Sequence, residues 1–400
     1  MRTIAAVTVA RSDWGIYRPV LNHIQQDPDL QLNVIAAGAH LCADHGTTLD
    51  EITADGFDIV DNIDMLLLAD TPAAVAKSMG LGTIGFAQAF HRCRPDILLV
   101  LGDRFEMHAA ALAAVPFQIP IAHIHGGEVT HGAIDDAFRH AITKYSHLHF
   151  PSTSEHARRI EQLGEEPWRI TISGAPALDN LRMMPLLDRA ELERRVGLSL
   201  QQPPLMLTFH PVTLQFEQTE QQIGEVLAGL EVFAGPIVIS RPNADPGNAV
   251  IVQMLEDFCR RRPETVLFQN LGTQAYFSLM NESLAMVGNS SSGIIEAASF
   301  GLPVVNIGLR QAGRPRSANI IDVDCNADAI RRAIRQATTS EFRRRCQSLP
   351  NIYGDGTASE KIVGRLKAEP LNERLMLKQF RDLPADLNSQ RESQRRRVAA

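Results

Sequence analysis

The chain has 400 residues, of which 44% are hydrophobic and 21% are charged. This length exceeds what one hydrophobic core usually holds, so we expect two domains of ordinary size. The formal net charge of −7 at pH 7 argues against a protein dedicated to binding nucleic acid. The 5 cysteines are scattered and form no Cys-x-x-Cys pair, which favours a reduced compartment over a disulfide framework or a thiolate zinc site.

The sequence carries no pattern typical of a membrane protein. The apolar run 4–10 is short, and Arg11-Ser12-Asp13 follows it where a signal peptide would have small residues. No window approaches the ~20 apolar residues that a membrane-spanning helix needs. We therefore expect a cytoplasmic protein without a membrane partner.

Strand and helix patterns alternate over residues 1–182, which we expect to form the first domain. The predicted strands are 2–9, 30–36, 57–60, 97–101, 119–124, 147–150 and 169–172. Helical patterns lie between them, including 16–26, 72–92, 104–115, 134–146 and 154–163. Such alternation is typical of a parallel sheet that is covered by helices on both faces.

The composition shifts over residues 183–204, where Met- and Pro-containing segments flank a charged helix pattern at 189–196. We interpret this segment as a linker. A second alternating series then predicts a domain over 205–366, with strands near 205–209, 236–240, 265–269, 284–287, 303–306 and 319–323. Residues 371–381 have a helical pattern, and the polar tail 384–400 is expected to be disordered.

A formal Gly-x-Gly-x-x-Gly motif at 80–85 does not predict a dinucleotide site. The dinucleotide motif follows a strand, whereas these glycines lie inside the helix pattern 72–92. We expect them to mark a place where the helix packs closely against a neighbour. NAD and FAD are therefore not expected as cofactors.

The stretch 97–147 concentrates ionisable residues after predicted strands. Ligands of parallel sheets bind at the carboxyl ends of the strands, so these side chains are expected to converge at one site. They are Asp103, Arg104, His123, His125, Glu128, Asp135, Asp136, Arg139 and His140. One of the two adjacent aspartates, Asp135 and Asp136, is expected to cap the helix that follows, where a negative charge stabilises the N-terminus. The other is then available for proton transfer.

No metal is expected at this site. His123 and His125 lie at the end of the predicted strand 119–124 and just beyond it, where two histidines alone do not make a metal site. His131, Asp135 and His140 follow without a His-Glu-x-x-His spacing or an equivalent ligand pattern.

The second domain has its own ligand pattern at residues 286–296. Ser290, Ser291 and Ser292 precede Gly293 at the start of a helix, where backbone N–H groups and hydroxyls bind phosphate. Glu296 lies one turn into that helix, at a position suited to ribose hydroxyls. The alternative is that one serine simply caps the helix.

Three further residues follow strands and suit a nucleotide diphosphate. Arg310 lies on a glycine-containing loop, Arg11 follows the first strand, and His210 follows strand 205–209. Arginines at such positions bind phosphate groups well. Neither a Gly-x-Ser-x-Gly elbow nor a phosphate-binding P-loop occurs, so serine-based acyl transfer and Walker-type ATP hydrolysis have no support.

The motifs together resemble the hydrolysing UDP-N-acetylglucosamine 2-epimerases of sialic-acid and related nonulosonic-acid synthesis, over about residues 1–366. The resemblance rests on the segments Ala10–Asp13, Val100–Glu106, His123–Glu128, Gly132–Asp136, Arg139-His140, Phe209–Pro211, Pro242–Asp245, Gly288–Gly293, Arg310-Gln311 and Tyr353–Gly356. It implies an α/β fold of the glycosyltransferase-B type. Two Rossmann-like doubly wound domains are then followed by a C-terminal helix, at 367–383, that crosses back to the first domain.

The resemblance also implies a reaction and its residues. Anti elimination of UDP from UDP-N-acetylglucosamine gives a glycal, and water addition then gives N-acetylmannosamine. Asp103, Asp135 and His210 match catalytic positions of the family. His125 stands where the non-hydrolysing relatives, and some hydrolysing ones, have glutamate, which leaves His125 and Glu128 as alternatives for the second proton-transfer group. The positions that match nucleotide contacts are Arg11, Arg104, His210, Asn243, Ser290, Ser291, Glu296 and Arg310.

We therefore expect an epimerase that hydrolyses a UDP-sugar without cofactor or metal and without nucleic acid as partner. Relatives suggest a homo-oligomer, either a dimer or a tetramer. A UDP-2,4-diacetamido-2,4,6-trideoxyhexose, on the route to legionaminic-type acids, is the alternative substrate. A glycosyltransferase and a non-catalytic sugar-nucleotide sensor of the same fold are the alternative functions.

Overall fold

The computed structural model describes residues 1–42, 48–67, 69, 71–130, 134–242 and 247–382, with only the backbone at 213, 214 and 216. Asn243, His131 and the predicted disordered tail lie outside these residues. Two compact units emerge. Of the described residues, unit 1 comprises 1–128, 134–176 and 357–382, and unit 2 comprises 129–130 and 177–356.

The sheet of unit 1 is wholly parallel, with strand order β3-β2-β1-β4-β5-β6. Its strands are apolar because helices cover both faces. They are β1 Arg2–Thr8, β2 Leu30–Ala37, β3 Ile59–Ile63, β4 Ile97–Leu101, β5 Ile121–Ile124 and β6 Leu148–Phe150. The helices between and after them are α1 Arg11–Gln26, α2 Leu49–Ala54, α3 Pro72–Cys93, α4 Phe105–Ala114, α5 Asp135–Tyr145 and α6 Ser154–Gln162.

Two predictions for unit 1 are wrong. Helix α1 begins at Arg11 rather than at residue 16, because Asp13 lies in its first turn, where a negative charge favours the helix dipole. The predicted strand 169–172 is reduced to one bridge between His149 and Ile170. Its start is taken up by a short 3₁₀ turn, Pro167–Arg169.

The glycines of the Gly-x-Gly-x-x-Gly motif lie inside helix α3, as predicted. A Cβ atom on Gly82 would lie 2.5 Å from Cε of Met65 and 3.2 Å from Cβ of Ala109. On Gly85 it would lie 2.6 Å from a side-chain carbon of Ile63. The prediction of close helix packing is confirmed at Gly82 and Gly85 but is wrong at Gly80, where a Cβ atom would have nothing within 4 Å.

Unit 2 repeats the doubly wound order, with strands β12-β11-β10-β7-β8-β9 all parallel. The strands are β7 Leu205–Thr208, β8 Ile237–Ser240, β9 Thr265–Phe268, β10 Ala285–Gly288, β11 Val304–Ile307 and β12 Ile320–Val323. The helices are α7 Asn180–Met183, α8 Arg189–Val196, α9 Thr219–Leu230, α10 Asn248–Arg261, α11 Gly272–Glu282, α12 Ser291–Ile295, α13 Ala327–Ala337 and α14 Ser340–Gln347. Two Rossmann-like units confirm the expected fold.

The chain returns to unit 1 after residue 356, which confirms the predicted crossing back. Helix α15, Ala358–Ala368, buries Ile362 and Leu366 in the core of unit 1. The predicted helix 371–381 is wrong beyond one short turn, α16 Glu373–Met376. Three backbone carbonyls around that turn accept hydrogen bonds from the buried Arg169 instead of continuing a helix.

None of the helices in the described part of the chain has the length and hydropathy that crossing a membrane requires.

Candidate active site

The loop after β4 brings Asp103 and Arg104 to the carboxyl edge of the unit 1 sheet. Gly102 makes this turn with φ +71°, and its N–H donates to the carbonyl of Ile124 at the end of β5, at 2.9 Å. Left-handed backbone of this kind favours glycine. The loop is therefore fixed to the neighbouring strand just before the two charged residues.

Asp103 forms an ion pair with Arg139, which is buried on helix α5. The same guanidinium reaches Asp136 at 3.5 Å. A carboxylate bound to a buried arginine has a fixed position. Asp103 is partly exposed, so it combines that position with access from solvent.

Asp135 differs from Asp136 in its environment. Burial, together with the nearby negative charge of Asp103, raises the pKa of Asp135. Two carboxyl groups whose environments differ in this way are suited to opposite roles in proton transfer. Asp103 and Asp135 therefore lie in one cluster, close enough for the charge of Asp103 to act on Asp135.

Arg104 is bound by Glu106, which is fully buried. Its Nε and one terminal nitrogen donate to the two carboxylate oxygens at 3.3 and 3.1 Å. Arg11, in contrast, is exposed, and its Nε lies 3.3 Å from a carboxylate oxygen of Glu51. Of the two predicted phosphate-binding arginines, only Arg104 belongs to the buried cluster of unit 1.

Asp13 is a member of this cluster that the sequence did not single out. It is 8% exposed, and its Oδ2 has no hydrogen-bond partner among the described residues. Burial raises the pKa of Asp13 to about 7, which exceeds the opposing effect of Arg104. A carboxyl group in such a site keeps its proton to a much higher pH than an exposed aspartate does.

We expect Asp13→Asn to stabilise the protein at pH 8 but not at pH 4. The folded carboxyl holds its proton up to about pH 7, whereas its usual pKa is 3.8. The folded state therefore binds more protons between these values, and the free energy of unfolding falls as pH rises. Removing this cost is worth up to about 4 kcal/mol at pH 8.

Urea unfolding of Asp13→Asn at the two pH values measures this effect. Asp58→Asn, at an exposed position, is the control. An equal change of stability at both pH values would show that the charge of Asp13 carries no such cost.

His123 supports the loop rather than joining the chemistry. It is fully buried, with Nε2 2.8 Å from the carbonyl of Gly102 and Nδ1 3.2 Å from Oγ1 of Thr143. Burial lowers the pKa of His123 to about 3, so the ring is neutral. The neutral ring therefore stabilises the turn at Gly102, which precedes Asp103.

His125 does not continue the strand that carries His123. Strand β5 ends at Ile124, and His125 has φ +63°. This turns the ring toward Glu128, where its Nδ1 lies 2.5 Å from Oε1. No group of three or more His, Cys, Asp or Glu within the described ranges is arranged to hold a metal ion.

In unit 2, Gly288 brings the ends of β7 and β10 together. A Cβ atom here would lie 1.9 Å from the carbonyl oxygen of Thr208, and φ is +132°. Asn289 follows and exchanges two hydrogen bonds with the backbone of His210, at 2.7 and 2.8 Å. The fully buried Asn289 thus fixes the loop that carries His210.

His210 is buried and neutral. Burial, with a smaller contribution from the charge of Arg310, lowers its pKa to about 4. Arg310 and Gln311 both donate to the carbonyl of Asn289, at 3.2 and 2.9 Å. His210 and Arg310 are therefore held around one residue, Asn289, that the sequence analysis did not assign.

Ser290 caps helix α12, and its Oγ accepts from the N–H of Ser292 at 3.3 Å. Ser291 is the first residue of that helix. Glu296 ends it with an Oε2 that is buried and unpartnered within the described residues. Burial raises the pKa of Glu296 to about 7, so this carboxyl is suited to hydrogen bonding rather than to repelling an anion.

Tyr276 is a second unassigned residue of this cluster. Burial raises the pKa of Tyr276, and interactions of its hydroxyl with Ser292, Thr208 and Ser290 partly offset that increase. Helix α11 supplies it, and no local motif indicated it in the sequence.

The predicted site residues are thus divided between the two units. Unit 1 holds Arg11, Asp103, Arg104, His125, Glu128 and Asp135, and unit 2 holds His210, Ser290, Ser291, Glu296 and Arg310. Two doubly wound units, one with clustered carboxyl groups and arginines and the other with polar groups beside an arginine, are typical of nucleotide-sugar enzymes with the glycosyltransferase-B type of fold.

The chain belongs to the UDP-N-acetylglucosamine 2-epimerase family, whose model matches residues 22–367. A hydrolysing GDP/UDP-N,N'-diacetylbacillosamine 2-epimerase of Campylobacter jejuni is 37% identical over 96% of this chain and 99% of that protein. A hydrolysing UDP-N,N'-diacetylbacillosamine 2-epimerase of Legionella pneumophila is 37% identical over 94% and 99%.

Solved structures agree on the fold. A UDP-GlcNAc 2-epimerase from Neisseria meningitidis, bound to UDP-GlcNAc, matches 92% of this chain and 99% of its own, with a TM-score of 0.78 and 18% identity.

Proposed function

We propose that this protein hydrolyses a UDP-linked 2-acetamido sugar with inversion at C2, in sialic-acid-type sugar synthesis. The observation that carries this proposal is the cluster of Asp103, Arg139 and Asp135. It offers a fixed carboxylate beside a carboxyl group of raised pKa. Hydrolysing 2-epimerases need both a base and an acid, because C2 loses a proton and then regains one.

The reaction has two steps. In the first, a base takes the C2 proton while the C1–O bond breaks and the nucleotide diphosphate leaves with the electron pair. In the second, a water adds its oxygen to C1, and an acid returns a proton to C2 from the opposite face. The water's remaining proton goes to a basic group, and free sugar and nucleoside diphosphate leave.

We assign the proton transfers to unit 1. Asp103 acts as the base, because Arg139 fixes its carboxylate while leaving it partly exposed. Asp135 acts as the acid, because its raised pKa means that it keeps its proton to a higher pH than an ordinary aspartate does. His125 acts as the second proton-transfer group, with Glu128 as its partner at 2.5 Å.

We assign the leaving group to unit 2. Arg310 supplies positive charge for the diphosphate, and Ser290 and Ser291 supply hydroxyls and N–H groups. Glu296 suits ribose hydroxyls, because an uncharged carboxyl both donates and accepts. His210, neutral and held by Asn289, contributes a donor or acceptor without adding charge.

The sugar we propose first is N,N'-diacetylbacillosamine, a 2,4-diacetamido-2,4,6-trideoxyhexose. Two relatives that share 37% of their residues with this chain are named for it. UDP-N-acetylglucosamine, the first expectation from the sequence, is the second candidate because the family is named for it. In that case the product is N-acetylmannosamine.

Parallel assays with the UDP-linked forms of both sugars, and with the GDP-linked diacetamido sugar, separate the candidates. NMR identifies the free sugar, and chromatography measures the nucleoside diphosphate. We expect the highest kcat/KM with UDP-N,N'-diacetylbacillosamine. A higher value with UDP-N-acetylglucosamine would make the second candidate the substrate, and failure to release a 2-epimerised sugar from all three would contradict the proposed function.

We expect Ser290→Ala to weaken UDP binding more than it slows the chemical step. The substitution removes a hydroxyl that we assign to the diphosphate, whereas the proton-transfer groups assigned to unit 1 are unchanged. A hydrogen bond to a charged group is worth about 1.5–3 kcal/mol, so Kd should rise roughly 10-fold or more. Calorimetry with UDP measures it, with the exposed Ser348→Ala as control. Equal affinities of the two variants would remove Ser290 from the nucleotide site.

A further inference from the structure

Unit 1 contains a continuous chain of polar side chains behind His125. Nδ1 of His125 lies 2.5 Å from Oε1 of Glu128, and Oγ of Ser152 lies 3.2 Å from the same oxygen. Ser152 Oγ in turn lies 2.9 Å from Nδ1 of His156. Glu128, Ser152 and His156 are all buried, with 6%, 1% and 1% exposure.

The donors and acceptors in this chain follow from its chemistry. Ser152 has one hydroxyl proton, and it donates that proton to Glu128, so its oxygen accepts from His156. Burial lowers the pKa of His156 to about 4, so the ring is neutral, and donation to Ser152 then places its proton on Nδ1. His125 also donates from Nδ1 to Glu128. Its Nε2 is then the ring nitrogen that is left to act on a substrate.

The backbone holds this chain in place. Gly127 has φ +76°, and a Cβ atom here would lie 2.3 Å from the carbonyl oxygen of His156. Thr153 caps helix α6 by accepting from the N–H of His156 at 3.2 Å. The loop with His125 and Glu128 is therefore packed directly on the start of the helix that carries His156.

We propose that Ser152 and His156 are positioning residues, which hold Glu128 as a hydrogen-bond acceptor so that His125 presents Nε2 as the second proton-transfer group. This inference rests on the proposed function. It also decides between the two residues that the sequence left open. Oε1 of Glu128 receives two donors in a buried position, so Glu128 orients the ring and His125 exchanges the proton.

The charges around His125 come from several elements. Glu128 and His156 face it within the chain, and His123 lies beneath it on β5. Arg159 of α6 acts on His156, and Arg139 of α5 acts on both His156 and His123. At His156 these arginines disfavour a positive charge, whereas Glu128 favours it. Loss of the Ser152 hydroxyl removes one of the two donors to Oε1 of Glu128 and thus changes how Glu128 is held against His125.

The first test compares Ser152→Ala and His156→Gln with a matched control. Ser146→Ala removes an equally buried hydroxyl that donates only to the carbonyl of Ile142, at 2.7 Å. We expect the two network variants to lower kcat about 10-fold or more with little change in KM, and to shift the pH profile of kcat. The control should keep both wild-type values. Network variants that match the control in kcat and pH profile would overturn the proposal.

The second test does not depend on activity or on the variants folding. Long-range nitrogen–proton NMR on the wild-type protein reports which ring nitrogen of each histidine carries hydrogen. We expect His125 and His156 to carry it on Nδ1. A neutral His125 with hydrogen only on Nε2 would overturn the proposal. A wild-type enzyme that is inactive on every sugar nucleotide tested would instead contradict the proposed function.

Discussion

Asp103→Asn is expected to keep the fold of unit 1 and to lower kcat by roughly 10²- to 10⁴-fold, the range that general acid–base groups contribute. Asparagine has nearly the same shape and can still accept a hydrogen bond from Arg139. It cannot take the C2 proton. Binding of UDP depends on unit 2 in our assignment, so its Kd should stay near that of the wild type.

Steady-state kinetics and UDP calorimetry on the same preparation measure the two effects. Asp58→Asn, exposed in unit 1, is the matched control and should retain turnover. If Asp103→Asn turns over as fast as this control, Asp103 is not the base. If it loses UDP affinity as strongly as turnover, its role is in binding.

Arg169→Met should lower the free energy of unfolding by about 3 kcal/mol or more, because a buried polar group left without its hydrogen-bond partner costs about 1–3 kcal/mol and this change affects three carbonyls. Arg169 is 1% exposed and donates to the carbonyls of Arg374, Leu375 and Leu377 at 2.8–3.0 Å. Its Nε also donates to Glu166 at 2.7 Å. Methionine fills the space but leaves those carbonyls without their donor.

Urea unfolding gives the free energy, and limited proteolysis shows whether the segment that returns to unit 1 is released. Arg381→Met is the control in the same segment, because Arg381 is exposed and lies 3.6 Å from Glu161. It should change stability by less than about 1 kcal/mol. Similar losses in the two variants would show that the buried guanidinium does not anchor the segment.

The strand and helix pattern predicted the doubly wound architecture because each buried parallel strand is a short apolar run between helical segments. Leu205–Thr208 and Ala285–Gly288 are such runs. Residues 169–172 also have a strand pattern but form only one bridge, since Arg169 is held by distant backbone carbonyls. Partners more than 200 positions away leave no trace in local periodicity.

The sequence also predicted which residues follow strands, but it did not predict how their side chains are oriented. Asp103, His210 and Ser290 were expected from their places after strands. The left-handed backbone of His125 was not, because alternation along a strand cannot show where the strand ends. Asp13 and Ser152 gained interest only from burial and from contacts made by the fold.

The most direct measurement of the central claim is turnover of the preferred UDP-sugar in heavy water, followed by proton NMR. We expect free sugar inverted at C2, one deuterium at C2, and UDP in equal amount. Free sugar or transferred sugar that keeps its original configuration and its C2 hydrogen would contradict elimination and readdition at C2, and with it the epimerase chemistry assigned to unit 1.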